Sequence, residues 1–374
     1  MTMLFKSISI IGLGYIGLPT AAVLAFRMGN VIGVDVDQDV VEAVNAGKAK
    51  TVEPGLAALL EIVTAKGQLR AALRPEPADV FIIAVPTPIT SDHKPDMSYV
   101  RAAAQSIAPV LDKGNLVILE STSPVSTTEQ MDQWLSEARP DLSFPQQAGD
   151  RADVQIAYCP ERILPGNMLK ELANNDRIVG GLSEKASAMA ADLYKMFVQG
   201  QIVTTNARTA EMCKLAENSF RDVNIAFANE LSMICDKLDI DVWELIRLAN
   251  RHPRVNILQP GCGVGGHCIP VDPWFIVDSA PDDARLIKIA RQVNDHKMEW
   301  VIEKLKAEIN KVIQSNPEKV IGDIAIIFDS LAYKPGTDDM RNSPSQRIAK
   351  IFSEMGCKII CKRQNRNEIP YITY

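Results

Sequence analysis

Along the first two hundred positions, apolar residues come in short unbroken runs separated by longer amphipathic stretches. Val31–Val34, Val80–Val85, Leu116–Leu119 and the run from Ile156 are apolar throughout, and Ser7–Ile11 is apolar but for its two serines, as strands are when both faces of a sheet are covered. Leu18–Met28 has the spacing of a helix. Strands alternating with helices predict an α/β fold with a Rossmann-type, doubly wound parallel sheet. The polar stretch Pro140–Asp153 reads as a loop. From Thr209 to about Leu238 the period changes to that of one long helix, with Met212, Leu215, Ala216, Val223, Phe227, Leu231 and Ile234 as its apolar positions. Asp241–Asn250 and Asp283 to about Ile313 predict two further helices, and Asn316–Glu318 a linker. Ile321–Leu331 then reads as a strand, Ser345–Met355 as a helix and Cys357–Cys361 as a strand. The expected division is 1–203, an all-helical 204–314, and 315–374. One strand–helix–strand unit does not bury a sheet of its own, so the last α/β part reads as truncated.

Composition narrows the class. The chain has 374 residues, 47% hydrophobic and 23% charged, which suits a globular protein of two or three domains. A formal net charge of -6 argues against nucleic acid as a partner. No apolar run has the length of a membrane helix, and Met1–Lys6 leads straight into a strand instead of a signal peptide. Seven cysteines without framework spacing fit a reducing compartment, so a cytoplasmic protein without a membrane partner is expected.

The chemistry begins where the first strand meets Gly12-Leu13-Gly14-Tyr15-Ile16-Gly17. Strand, glycines and helix follow in the order of a dinucleotide-binding turn, and Asp35 ends the second strand about 20 residues later, where a carboxylate holds a ribose diol. No arginine stands among Val36–Asp39 to receive a 2′-phosphate, so NAD is favoured over NADP. Hydroxyls between Glu120 and Glu129 have the pattern of helix caps or ligand contacts, with capping favoured for any single one. Glu161 and Arg162 follow a strand end as opposite charges in a fixed turn, equally suited to a surface ion pair or a site. Lys214, Asn218 and Arg221 share one face of the long helix. His252 and Arg254 lie in a basic segment, Arg251–Asn256, suited to clamping phosphate or carboxylate.

Four glycines among the six residues Gly261–Gly266 let backbone approach a ligand closely, and His267-Cys268 follows at once. A cysteine beside an imidazole is the candidate nucleophile, because the thiolate attacks carbonyl carbon well. The other six cysteines read as small buried hydrophobes. The spacing of Cys262, His267 and Cys268 matches no usual zinc pattern, so no metal is expected.

Gly12–Pro19, Ala84–Pro88, Cys159–Arg162, Lys214–Asp222 and Gly265–Cys268, in this order, resemble the UDP-glucose/GDP-mannose dehydrogenase family. Arg251–Asn256 and Gly265–Phe275 narrow the resemblance to its branch acting on UDP-N-acetyl-D-mannosamine. The resemblance implies oxidation of a UDP-sugar's primary alcohol to a carboxylate with two NAD, as in surface-polysaccharide precursor synthesis. It implies that Cys268 carries a thiohemiacetal and then a thioester, that Lys214 and Asn218 stabilise the oxyanion, and that Glu161 and Asp272 handle the hydrolytic water. By the same pattern Tyr15, Ile16, Asp35, Thr87, Thr122 and Thr128 touch NAD with the glycines. Arg162, Ile163, Lys214, Asn218, Arg221, His252, Arg254, Gly265, Tyr333 and Lys334 touch the sugar nucleotide, and Arg341 touches one of the two ligands. It implies a homodimer through the central helix, and a last domain that binds UDP. A two-electron hydroxyacid dehydrogenase and an NAD-binding remnant without turnover stay open beside this reading.

Overall fold

The computed structural model describes residues 5–49, 53–163, 166–333, 340 and 342–362. The chain divides into two compact units, Met1–Glu217 and Asn218–Tyr374.

In the first unit the order is β1 (Ile8–Ile11), α1 (Gly17–Met28), β2 (Val31–Val34), α2 (Gln38–Asn45), α3 (Leu56–Ala65), β3 (Leu69–Ala72), β4 (Val80–Ile83), α4 (Ser98–Ile107), β5 (Leu116–Leu119) and α5 (Thr127–Ala138). There follow α6 (Pro145–Ala148), β6 (Gln155–Tyr158), α7 (Met168–Asn174), β7 (Arg177–Gly181), α8 (Glu184–Tyr194) and β8 (Ile202–Asn206). The strands form one sheet in the order β3-β2-β1-β4-β5-β6-β7-β8. Alternate residues feed two cores: Ile8, Ile10, Val80, Ile82, Leu116 and Ile118 pack on one side. Ile11, Phe81, Ile83, Val117 and Leu119 pack on the other. Both faces being covered explains why these strands are apolar without alternation.

Two details differ from the expectation. The β6–β7 pairing is antiparallel. The connection returns β7 to the edge where β6 ended, and Arg177 at its start is tied at 2.6 Å to Glu161, just past the end of β6. Within the stretch expected to be a loop, Phe144 is drawn into the core and Pro145 takes the first position of a one-turn helix.

The long helix α9 (Ala207–Lys237) leaves the first unit and enters the second. There follow α10 (Val242–Ala249), α11 (Asp272–Ser279), α12 (Arg285–Ser315), β9 (Ala325–Phe328), α13 (Pro344–Glu354) and β10 (Lys358–Cys361). The strand expected at Ile321 starts later, because Asp323 closes a turn by accepting the Val320 N–H at 3.0 Å. β9 and β10 pair in parallel, and Ile348 and Phe352 of α13 pack with Ile302 and Ile309 of α12. Among the described residues no helix is long and apolar enough to cross a membrane.

Candidate active site

The fingerprint loop has the shape a dinucleotide needs. Gly12 has φ +97°, and a Cβ there would lie 2.5 Å from the Ala84 carbonyl oxygen. A Cβ on Gly17 would lie 1.8 Å from the Gly12 oxygen, so the first and third glycines are fixed by sterics. Gly14 meets nothing within 4 Å, which leaves backbone open for a pyrophosphate. The α1 N-terminus has no side-chain cap and no acid in its first turn, so its amides remain available to an anion. Asp35 Oδ2 accepts the Leu13 N–H at 2.8 Å and Oδ1 accepts the Asp37 N–H at 3.0 Å, fastening this carboxylate beside the loop. These residues fit NAD.

Of the loop residues expected near the cofactor, Tyr15, Ile16, Thr87 and Thr122 are partly exposed. Thr128 is fully buried, and its hydroxyl donates to Glu211 at 2.6 Å. That side chain is closed to a ligand in this conformation. The expected capping by a local hydroxyl also fails: Ser126 occupies the N-cap of α5 with φ +77° and makes no side-chain cap. Glu211, from α9, accepts the Ser126 and Thr128 N–H groups at 2.6 and 2.8 Å instead. Ser121 ties the ends of β4 and β5, accepting the Val85 N–H at 2.9 Å and donating to the Val85 carbonyl at 2.8 Å.

Glu161 and Arg162 do not pair with each other. Glu161 is buried against Arg177 and also accepts the Arg162 N–H at 2.7 Å. Arg162 reaches Glu217 of α9 at 2.7 Å, and Ile163 follows it in the same partly buried turn. Beneath this turn lies Glu120, which accepts the Tyr194 hydroxyl at 2.6 Å. Burial and the nearby Glu161 charge push the Glu120 carboxyl up to about 7. Burial pushes the Cys159 thiol up to about 12, so that cysteine is inert. Lys214 is partly exposed on α9.

In the second unit, Cys268 is the one exposed thiol of the seven. Its carbonyl accepts the Val271 and Asp272 N–H groups at 3.1 and 2.8 Å, which sets it immediately before α11. Asp272 is buried, and its Oδ2 accepts the Asn218 amide at 2.5 Å, joining two expected site residues. Gly265 and Tyr333 are likewise brought together: a Cβ on Gly265 would lie 2.6 Å from the Tyr333 Cβ. Asn342 donates to the Gly266 carbonyl at 3.1 Å. His252 accepts the Arg254 N–H at 3.3 Å; both residues are exposed, as is Arg221. Lys334 and Arg341 lie outside the described residues.

Sequence reasoning missed a buried polar seam. Asp222 of α9 accepts from Arg291 at 2.6 Å and from Asn294 at 2.8 Å, both on α12. Asn229 donates to Asn294 at 2.9 Å and accepts the Gly261 N–H at 2.9 Å. Lys297 donates to Ser232 at 2.7 Å, and burial lowers its ammonium pKa to about 8. The signal was present as polar residues at helical spacing, Asp222, Asn229 and Ser232 against Arg291, Asn294 and Lys297.

Residues 6–198 match the NAD binding domain, and residues 208–296 the central domain, of the UDP-glucose/GDP-mannose dehydrogenase family. The chain is 60% identical over 352 residues to a UDP-N-acetyl-D-mannosamine dehydrogenase of Yersinia pestis, covering 94% of this chain and 84% of that one. It is 57% identical over 348 residues to an NDP-N-acetyl-D-galactosaminuronic acid dehydrogenase of Ralstonia nicotianae, covering 93% and 80%. The solved structure of a UDP-D-ManNAc dehydrogenase from Pyrococcus horikoshii superimposes with a TM-score of 0.85 at 43% identity, covering 95% of this chain and 82% of that one.

Proposed function

Because the chain belongs to the UDP-glucose/GDP-mannose dehydrogenase family, we propose that it oxidises the C6 alcohol of UDP-N-acetyl-D-mannosamine to the uronate with two NAD per sugar. The balance is alcohol, two NAD⁺ and water giving carboxylate, two NADH and three protons. NAD supplies hydride acceptance in both oxidations. The chain's own residues do the rest. Lys214 and Asn218 hold the oxygen on which negative charge develops. The Cys268 thiolate adds to the aldehyde carbon as a thiohemiacetal, which becomes a thioester when the second hydride leaves. Asp272 and Glu161 orient the water that cleaves it and returns the thiol. Arg162, Arg221, His252 and Arg254 provide cations for the diphosphate, with Ile163, Gly265, Tyr333 and Lys334 around the sugar nucleotide. The observation that carries this reading is the exposed Cys268 on a glycine loop fastened to the helix of Asn218 through Asp272.

In this proposal residues 1–203 bind NAD, 204–314 carry catalysis and dimerisation, and 315–374 contribute to UDP binding. The surface-polysaccharide precursor pathway is its setting, in the cytoplasm where nucleotide sugars and NAD are available. Phe220, Phe227 and Ile234 are 72%, 51% and 46% exposed along α9 and Leu238, just past its end, is 61% exposed, an apolar stripe that supports a homodimer. Sedimentation as a monomer at micromolar concentration would refute that part. The similarity to the Ralstonia relative favours, as a second reading, an N-acetylgalactosamine nucleotide as substrate. A panel of UDP-N-acetylmannosamine, UDP-N-acetylgalactosamine, UDP-N-acetylglucosamine and UDP-glucose tests both. The mannosamine sugar is expected to give the highest kcat/KM, and its failure to turn over sinks the first reading.

A further inference from the structure

The glycine loop is held at both ends by one face of α9. Asn229 Oδ1 takes the Gly261 N–H at its start, and Asn218 binds Asp272 at its end. Residues 218 and 229 are eleven apart, close to three full turns, so their side chains lie on one helical face roughly 16 Å apart. Gly261 and Asp272 are also eleven positions apart, and eleven extended residue steps reach roughly 36–40 Å. The loop between them is therefore slack by more than half, and its shape depends on where its ends are pinned. Left-handed Gly263 and Gly266, at φ +136° and +88°, take up the excess by folding the chain back.

Asn229 has no exposure, and its amide belongs to the seam in which Asn294 also meets Asp222, itself paired with Arg291. Its N–H is engaged by α12 and its oxygen by the loop. Such an amide cannot rotate without leaving a buried partner unpaired, so the helix pair dictates the direction of the Gly261 N–H. Losing that bond frees the start of the loop, while its Asp272 end and the Asn342 bond to the Gly266 carbonyl stay in place.

We propose that Asn229 is a positioning residue that sets the register of the glycine loop and so the placement of the Cys268 thiol for the second oxidation. This rests on the reading of Cys268 as nucleophile. Displacement of a reacting group by about 1 Å costs on the order of a hundredfold in rate. The first oxidation does not use the thiol, so an enzyme with a displaced loop still makes aldehyde and releases it.

The test uses the full chain with NAD and UDP-N-acetylmannosamine. Asn229→Ala is expected to lower acid formation about 10- to 100-fold, to release aldehyde captured by semicarbazide, and to yield fewer than two NADH per sugar with NAD affinity unchanged. Ser232→Ala cuts the same seam without touching the loop, and is expected to lower the melting temperature while keeping two NADH per sugar. Hydrogen exchange on the wild-type protein reads the contact without turnover: the Gly261 amide is expected to be protected like those of α9 and α12. Wild-type acid formation without aldehyde release in Asn229→Ala, or a Gly261 amide exchanging like an open loop, overturns the proposal. A wild-type protein inactive on every sugar but with a protected Gly261 would sink the proposed function and the thiol assignment while leaving the loop contact standing.

Discussion

Glu120 offers a quantitative test of the first unit. Its side chain is 2% exposed, with one oxygen accepting the Tyr194 hydroxyl at 2.6 Å. Burial is the larger cause and the Glu161 charge the second in raising its carboxyl from 4.5 to about 7, against the opposing pull of Arg177. A carboxyl whose pKa is higher in the folded than in the unfolded chain stabilises the fold in its protonated form. That contribution is full below pH 4.5, falls as pH rises towards 7 and is gone above it. The interval of about 2.5 pH units corresponds to about 3 kcal/mol. Glu120→Gln imitates the protonated group at every pH. Its stability is expected to match wild type near pH 4.5 and to exceed it by about 3 kcal/mol at pH 8, a gain of roughly 6–12 °C for a unit of this size. The assay is thermal unfolding of both proteins across pH 4.5–8, scored as the difference between them so that titrating groups distant from Glu120 cancel. A difference that does not change with pH would refute the reasoning, and so would a Glu120→Gln protein less stable than wild type at pH 8.

Three other expectations come from named contacts. Glu211→Ala removes the acceptor for two N–H groups at the start of α5, and a loss of about 1–3 kcal/mol is expected in urea unfolding. Arg291→Met leaves Asp222 buried beside Asn294 without its cation, and is expected to cost about 3–5 kcal/mol by the same measurement. Arg162→Met breaks a half-exposed pair with Glu217, so stability is expected to change by less than about 1 kcal/mol. Its KM for the sugar nucleotide is expected to rise while NAD affinity stays unchanged.

What could be read from sequence was local. β2, β4 and β5 announce themselves because a strand covered on both faces has no polar positions, β1 because Ser9 is its one polar residue, and α9 because its period continues for 31 residues. Gly12, Gly17 and Asp35 were legible because a tight turn and a carboxylate at a set spacing leave a linear signature. What escaped depends on partners distant in the chain. Thr128 has the same appearance whether it meets a ligand or Glu211, 83 positions away. Glu161 next to Arg162 read equally as a surface ion pair or part of a site, and each is engaged by another element. On α9, Lys214, Asn218 and Arg221 drew attention as a polar stripe, whereas Asp222 and Asn229 are the ones buried against α12. A helical period shows which residues share a face, but not which face is covered.

The most direct test of a thiol-borne four-electron oxidation is the number of NADH formed per UDP-N-acetylmannosamine consumed, measured with wild type and Cys268→Ser side by side. Two NADH and one uronate per sugar are expected from wild type, and at most one NADH with no uronate from the serine variant. One NADH per sugar from wild type, or uronate formed by Cys268→Ser at the wild-type rate, would contradict it.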